Sequence, residues 1–392
     1  MAKKQVKKVP KKAPKKASKK AARKPAKTAV KKAPRRKVAK KAVGKRAKKS
    51  AKKVAAPPEP PVPAAEFPAD VEGRPALGLV CLSSDERVKF RAMTRATFLK
   101  TPENERRAKL ETLYWDNIAR VHFALSYCHA RQIRLYRITS ALFPMSDESL
   151  GQDVLRNFSA TLSSIGRRAR RLGIRVVIHP DQFVVLSSEN PSVVQTSITI
   201  LAKHALWMDL MGLDQSPWNL MNIHAGKAGR GEQLVKVVET LPDNIRNRLT
   251  FENDEHGYSS AEVLDICRRT GCPFVFDCHH HLIHDNLASY DDPSMTHFTR
   301  AAAETWPKAS WQLCHVSNGE SAFRDRYHAL HIHAMPTAFK HIPWLEVEAR
   351  GKERAILALR QHWPNTATPD YGRRLDKITA AEKRAIEAAD AE

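Results

Sequence analysis

Eight short apolar runs recur along this chain, and their spacing constrains the fold more than any other feature. They are LGLVCL (77–82), IRLYRI (133–138), RVVIHP (175–180), NLMNIH (219–224), RLTFEN (248–253), PFVFDC (273–278), WQLCHV (311–316) and PWLEVE (343–348). Each is rich in β-branched or aromatic residues and too short for a buried helix, so each reads as a strand. Between them lie segments with helical spacing, such as DVLRNFSATLSSIGRRARRLG (153–173), which ends in a Gly stop. Strands alternating with helices imply βαβ units and a parallel sheet. Eight such units in about 270 residues have the count and size of a TIM (β/α)8 barrel. A doubly wound open sheet is the alternative. It would carry a Gly-rich phosphate turn after its first strand, and CLSSDERV at 81–88 is not one.

The rest of the chain is set by charge. The formal net charge is +26, and residues 1–54 hold 26 of the 67 Lys and Arg but no Asp or Glu. That leaves 41 basic against 41 acidic residues in 55–392, so the whole excess lies in the tail. Residues 1–54 are too polar to bury a core and are expected to be disordered. A Pro-rich linker follows at 55–73, then the barrel domain at 74–378, then a short charged helix at 379–392, where Thr379 and Glu382 have capping-box spacing. A Lys-rich polycation of this kind binds a phosphate polyanion through counterion release, with little sequence preference. It lacks the apolar core of a secretory signal. The six cysteines form no paired framework and no CxxC motif, which fits a reducing, intracellular setting. No apolar stretch is long enough to span a membrane. A cytoplasmic monomer is expected, associated with the nucleoid if the source is bacterial.

The strand ends carry the chemistry. Successive strands from the third onward end in His179, His224, Glu252, Asp277, His315 and Glu348. In a TIM barrel the C-terminal strand ends converge on one rim. One histidine at a strand end is usually structural, but six metal-capable side chains in series are not explained that way. Three carboxylates and three imidazoles buried together without a metal would leave costly charge. The turn DCHHHLIHD (277–285) adds His280 beside Asp277, with His279, His281 and His284 as outer donors or surface residues. The segment YHALHIHAM (327–335) offers His328, His331 and His333, one of which closes the site. Cys278 and Cys314 alternate away from the ligands. Mixed oxygen and nitrogen donors suit Mn, with Zn or Mg as alternatives. So many ligands imply two or three divalent ions, the arrangement that serves phosphodiester hydrolysis. Isomerisation of sugars is the alternative for a metal barrel of this type, but the polycationic tail favours a nucleic-acid substrate.

These residues resemble the UV-damage endonuclease family over about 76–353. The motifs are LGLVCL, YRITSALFP (136–144), HPDQFVVLSS (179–188), NIHAGKAGRGE (222–232), FENDE (251–255), FDCHHH (276–281), CHVSNG (314–319) and VEARGKE (347–353). The resemblance implies a TIM barrel that nicks double-stranded DNA immediately 5′ to pyrimidine dimers and (6-4) photoproducts, by water activated at divalent metals, commonly manganese. It implies His179, His224, Glu252, Asp277, His280, His315, His328 and Glu348 as metal ligands. Of these, Glu252, Asp277, His224 and Glu348 are the expected catalytic set. Gln182 and Phe183 match a pair that probes the duplex at the lesion, and Arg137 and Ser140 are expected at the DNA backbone, unless Arg137 pairs with a rim carboxylate. Two positions depart from the family pattern. Leu313 stands where a lysine near the metals is expected, and Leu330 where an acidic residue is expected. The remaining alternatives are a general apurinic-site endonuclease, a sugar isomerase-like barrel, and a DNA-binding protein without catalysis.

Overall fold

The computed structural model describes residues 72–180, 183–367, 369 and 371. The basic tail, nearly all of the linker, Gln182 and the C-terminal helix at 379–392 lie outside the described residues. One strand falls on each of the eight apolar runs, the first beginning one residue earlier: β1 Ala76–Val80, β2 Leu135–Ile138, β3 Arg175–Ile178, β4 Met221–His224, β5 Leu249–Glu252, β6 Phe274–Asp277, β7 Leu313–Val316 and β8 Trp344–Val347. All neighbours pair in parallel, and β1 also pairs with β8, so the sheet closes. The barrel excludes the doubly wound alternative. The helical stretch expected over 153–173 is two helices, Ser149–Asn157 and Ser159–Arg171, broken at Phe158. Gly173, at φ +67°, then turns the chain toward β3, a left-handed conformation that glycine adopts without strain.

Strand alternation sorts the side chains into two sets. One set, including Tyr136, Ile138, Val176, Ile178, Phe251 and Cys314, joins the large core under the surrounding helices. The other set points into the barrel. Its lower layer is a separate apolar cluster that includes Leu135, Val177, Leu220, Val275 and Leu313. Two residues further along the same faces come Arg137, His179, Asn222, Asp277 and His315. The period of two therefore stacks a polar layer on an apolar floor. Arg175, one rung lower on β3, closes the bottom. Its guanidinium donates to the carbonyl oxygens of Trp218 (2.8 Å), Trp311 (3.0 Å) and Pro217 (3.0 Å). Burial pulls its pKa down to about 9.

Leu313 is fully buried in that floor. The departure noted in the sequence thus falls below the polar layer, and its immediate neighbours are apolar. Within the polar layer the register sets His315 opposite Glu346 of β8.

Candidate metal centre

Asp277 shows how sequence builds the rim. It ends β6 and caps the helix Cys278–His284, its Oδ1 accepting from the backbone N–H of His279 (2.7 Å) and His280 (2.8 Å). The capped turn folds His280 back so that its Nδ1 lies 3.3 Å from Glu252 Oε1. Asp277 Oδ2 is buried and has no hydrogen-bond partner.

Seven of the eight expected ligands meet in three triads: His179–His224–Glu252, Glu252–Asp277–His280 and Asp277–His315–Glu348. Within each triad the donor atoms lie within 4.8 Å of one another. Glu252 and Asp277 each belong to two triads and join the three into one chain. His328 stands outside them, 3.9 Å from Glu348 at the nearest approach, though it lines the same cavity. His331 and His333 are not among the residues lining it. His279 and His281 are buried and face groups outside the triads. His279 contacts the Tyr290 hydroxyl and the Asp325 carbonyl, both at 2.9 Å, and His281 lies between Ser260 (3.0 Å) and Ser294 (2.9 Å).

Glu252 is the hub. Its Oε2 accepts from Asn222 Nδ2 (2.5 Å) and faces His179 Nε2 (3.3 Å), and its Oε1 faces His315 Nδ1 (3.1 Å). Burial pushes the Glu252 carboxyl up, but the imidazoles of His315 and His224 override it and hold it well below the usual range. Asp277 goes the other way: burial raises it, with Glu252 and Glu348 adding to the rise against the pull of His280. Burial lowers His280 and His315, and the carboxylates around them reverse the sign and raise both well above the ordinary imidazole value.

Arg137 is buried, and its Nη1 contacts Glu346 Oε2 (2.9 Å) and Glu348 Oε1 (2.5 Å). Both ion pairs are with carboxylates of the site, the alternative open to it in the sequence, rather than with solvent-facing groups. Ser140 and Phe183 line the open cavity of about 730 Å³ above the triads. Phe183 is 70 % exposed, so it is not a core aromatic. Gly226, at φ +93°, lets the loop after β4 pass against Ser187, where an added Cβ would come within 2.6 Å of the Ser187 hydroxyl. Ser187 then accepts from the N–H of Lys227 (2.8 Å), which fixes that lysine in the cavity wall.

Several residues of the site are not marked by the sequence motifs. The alternation in WLEVE puts Glu346 on the inward face of Glu348, but its place beside His315 comes from the β7–β8 register. Asp254 lies 3.2 Å from His224 Nδ1 and was visible in FENDE only as a loop acid. Arg326 lines the cavity, and beside it Tyr327 is 61 % exposed, both on a loop whose course the sequence does not reveal.

A closed parallel barrel with three linked donor triads at its C-terminal mouth defines a TIM-barrel protein with a candidate multi-metal centre. Residues 75–371 match the family described as UV-endonuclease UvdE, and the chain belongs to that family. It is 51% identical over 292 residues to the UV DNA damage endonuclease of Nostoc sp., covering 74% of this chain and 91% of the relative. The UV DNA damage endonuclease of Deinococcus radiodurans is 45% identical over 292 residues, covering 74% and 96%. The crystal structure of SacUVDE shares the fold, with a TM-score of 0.61 at 24% identity over 74% of this chain and 97% of that one. Among the described residues, no helix is long and apolar enough to cross a membrane.

Proposed function

We propose that this endonuclease nicks double-stranded DNA immediately 5′ to pyrimidine dimers and (6-4) photoproducts, with two or three divalent cations, manganese first among them, held at the barrel mouth. The observation that carries the reading is the chain of three triads sharing Glu252 and Asp277. The residues fit cations. Asp277 Oδ2 is a buried carboxylate oxygen with no hydrogen-bond partner, and an anion in that state calls for a positive partner. The donors are all oxygen and nitrogen, which suits manganese, with zinc or magnesium as alternatives.

His179, His224, Glu252, Asp277, His280, His315 and Glu348 would hold the cations, with His328 at the edge. Divalent cations bound there supply charge neutralisation at a phosphodiester and a lowered pKa for water. The protein's own groups do the rest. Asn222 and the surrounding imidazoles orient the Glu252 carboxylate. Arg137 fixes Glu348. Phe183, with Gln182 before it, supports a role at the lesion: a planar ring in the mouth can occupy the gap left when cross-linked bases leave the stack. Lys227 and Arg326 give the cavity wall positive charge for the DNA backbone, with Ser140 a further contact. Residues 1–54 add contact to DNA of any sequence.

Glu252→Gln tests the reading. The variant is expected to bind a dimer-containing duplex and to lose nicking of it, with defined dimer, (6-4) and abasic duplexes compared under Mn, Mg and Zn. Undiminished nicking would sink the assignment, and a preference for the abasic duplex in the unmodified protein would shift the substrate to apurinic sites.

A further inference from the structure

We infer that Glu346 is a positioning residue for the metal centre, fixing which nitrogen of His315 is left to bind a cation. The inference rests on the proposed metal reading and adds a residue to it. His315 is fully buried, and its two ring nitrogens face different groups. Nδ1 looks into the site, 3.1 Å from Glu252 Oε1 and 3.4 Å from Glu348 Oε1. Nε2 looks away from the triads, and the carboxylate facing it is Glu346, with Oε2 at 2.8 Å. Nε2 is buried with no other hydrogen-bond partner, so Glu346 is the group placed to take its proton.

A neutral imidazole carries one proton. When one nitrogen holds a cation, the proton must sit on the other, and an acceptor there fixes both tautomer and ring orientation. Glu346 stands where that acceptor is needed. It is 1 % exposed and is not a member of any of the three triads, which separates it from the ligands. Its own position is fixed twice. The sheet register pairs it with His315, and Arg137 Nη1 lies 2.9 Å from the same Oε2. Arg137 also contacts Glu348, so a single guanidinium ties the outer carboxylate to a ligand. Below this rung the β7 side chain is Leu313, in the apolar floor, so the anion at this height comes from β8.

The test is metal affinity. Binding of manganese alone to the full-length protein is measured by titration calorimetry for the unmodified chain, Glu346→Gln and Glu346→Leu. Glu346→Leu removes the acceptor and is expected to weaken binding at the affected site by about 10–100-fold. Glu346→Gln retains an acceptor oxygen and is expected to fall between Glu346→Leu and the unmodified protein. Nitrogen-15 chemical shifts of His315 in the zinc-loaded protein are expected to report the Nε2–H tautomer in the unmodified chain and a mixture in Glu346→Leu. Should the leucine variant fail to fold, the glutamine variant and the tautomer measurement decide the matter alone. Equal affinity across the folded variants with an unchanged tautomer would overturn the role of Glu346 and leave the metal reading intact. An unmodified chain that binds no manganese or zinc would overturn the metal reading itself.

Discussion

Phe183 and the site histidines were legible in the sequence for different reasons. A histidine or carboxylate at a strand end is visible because strand ends in a barrel share one rim. The chain of shared ligands is not visible, because it depends on the turn that Asp277 caps. Phe183 is marked by resemblance, and in the structure it is exposed and lines the cavity. Phe183 is 70 % exposed, so replacing it with alanine removes little buried surface and thermal stability should hold. Loss of one aromatic–base stack is worth about 1–3 kcal/mol, or roughly 5–150-fold in affinity. Phe183→Ala should weaken binding to a dimer-containing duplex by that factor in an anisotropy titration, with a smaller change for undamaged duplex. Equal loss on both duplexes would show that the ring does not read the lesion. The imidazoles also carry a pH prediction. Burial opposes the charge on His280 and His315, and neighbouring carboxylates raise both above the ordinary 6.5. In the metal-free protein their stabilising protons are fully present below 6.5 and are lost as pH rises through the raised values. A cation competes with those protons. Manganese affinity should therefore climb as pH rises toward those raised values, by up to about tenfold per unit for each proton displaced, and level off above them. A flat profile in calorimetry would show that no proton leaves.

Single elements were harder to read than their order. The strands stand out because each pairs an apolar run with a period of two. The segment 153–173 read as one helix because both of its helices have apolar residues at helical spacing, and nothing local marks the break at Phe158. β7 is the instructive case. The sequence marks Leu313 as a departure next to the metals, whereas the barrel puts it on the apolar floor with Leu135, Val177 and Val275. Only the register between β7 and β8, which the sequence does not state, reveals Glu346 beside His315. If the floor is what Leu313 serves, truncation should act on stability. Leu313→Ala should cost about 2–5 kcal/mol, the range for emptying a buried leucine site. A urea melt of the metal-free protein measures it. Loss of manganese affinity with unchanged stability would instead return Leu313 to the metal centre.

At the scale of the whole molecule, charge and chemistry occupy different parts of the chain. Residues 55–392 carry equal numbers of basic and acidic side chains, while 1–54 carry the entire excess of 26. A neutral barrel has little long-range attraction for DNA, and its few basic groups near the mouth act only at close range because exposed charges are screened within about 8–10 Å. The tail works by another route. Each phosphate it neutralises releases condensed counterions, and the logarithm of affinity falls with the logarithm of salt by about 0.9 per phosphate. Deleting residues 1–54 should therefore weaken DNA binding most at low salt and flatten the slope of affinity against salt. The cut position should not move, because the triads and Phe183 remain. The two effects are separable on one substrate: anisotropy titrations over a range of salt give the slope, and nicking of an end-labelled dimer duplex gives the position. An unchanged slope after deletion would assign the electrostatic contact to the barrel mouth, where Lys227 and Arg326 would then have to supply it.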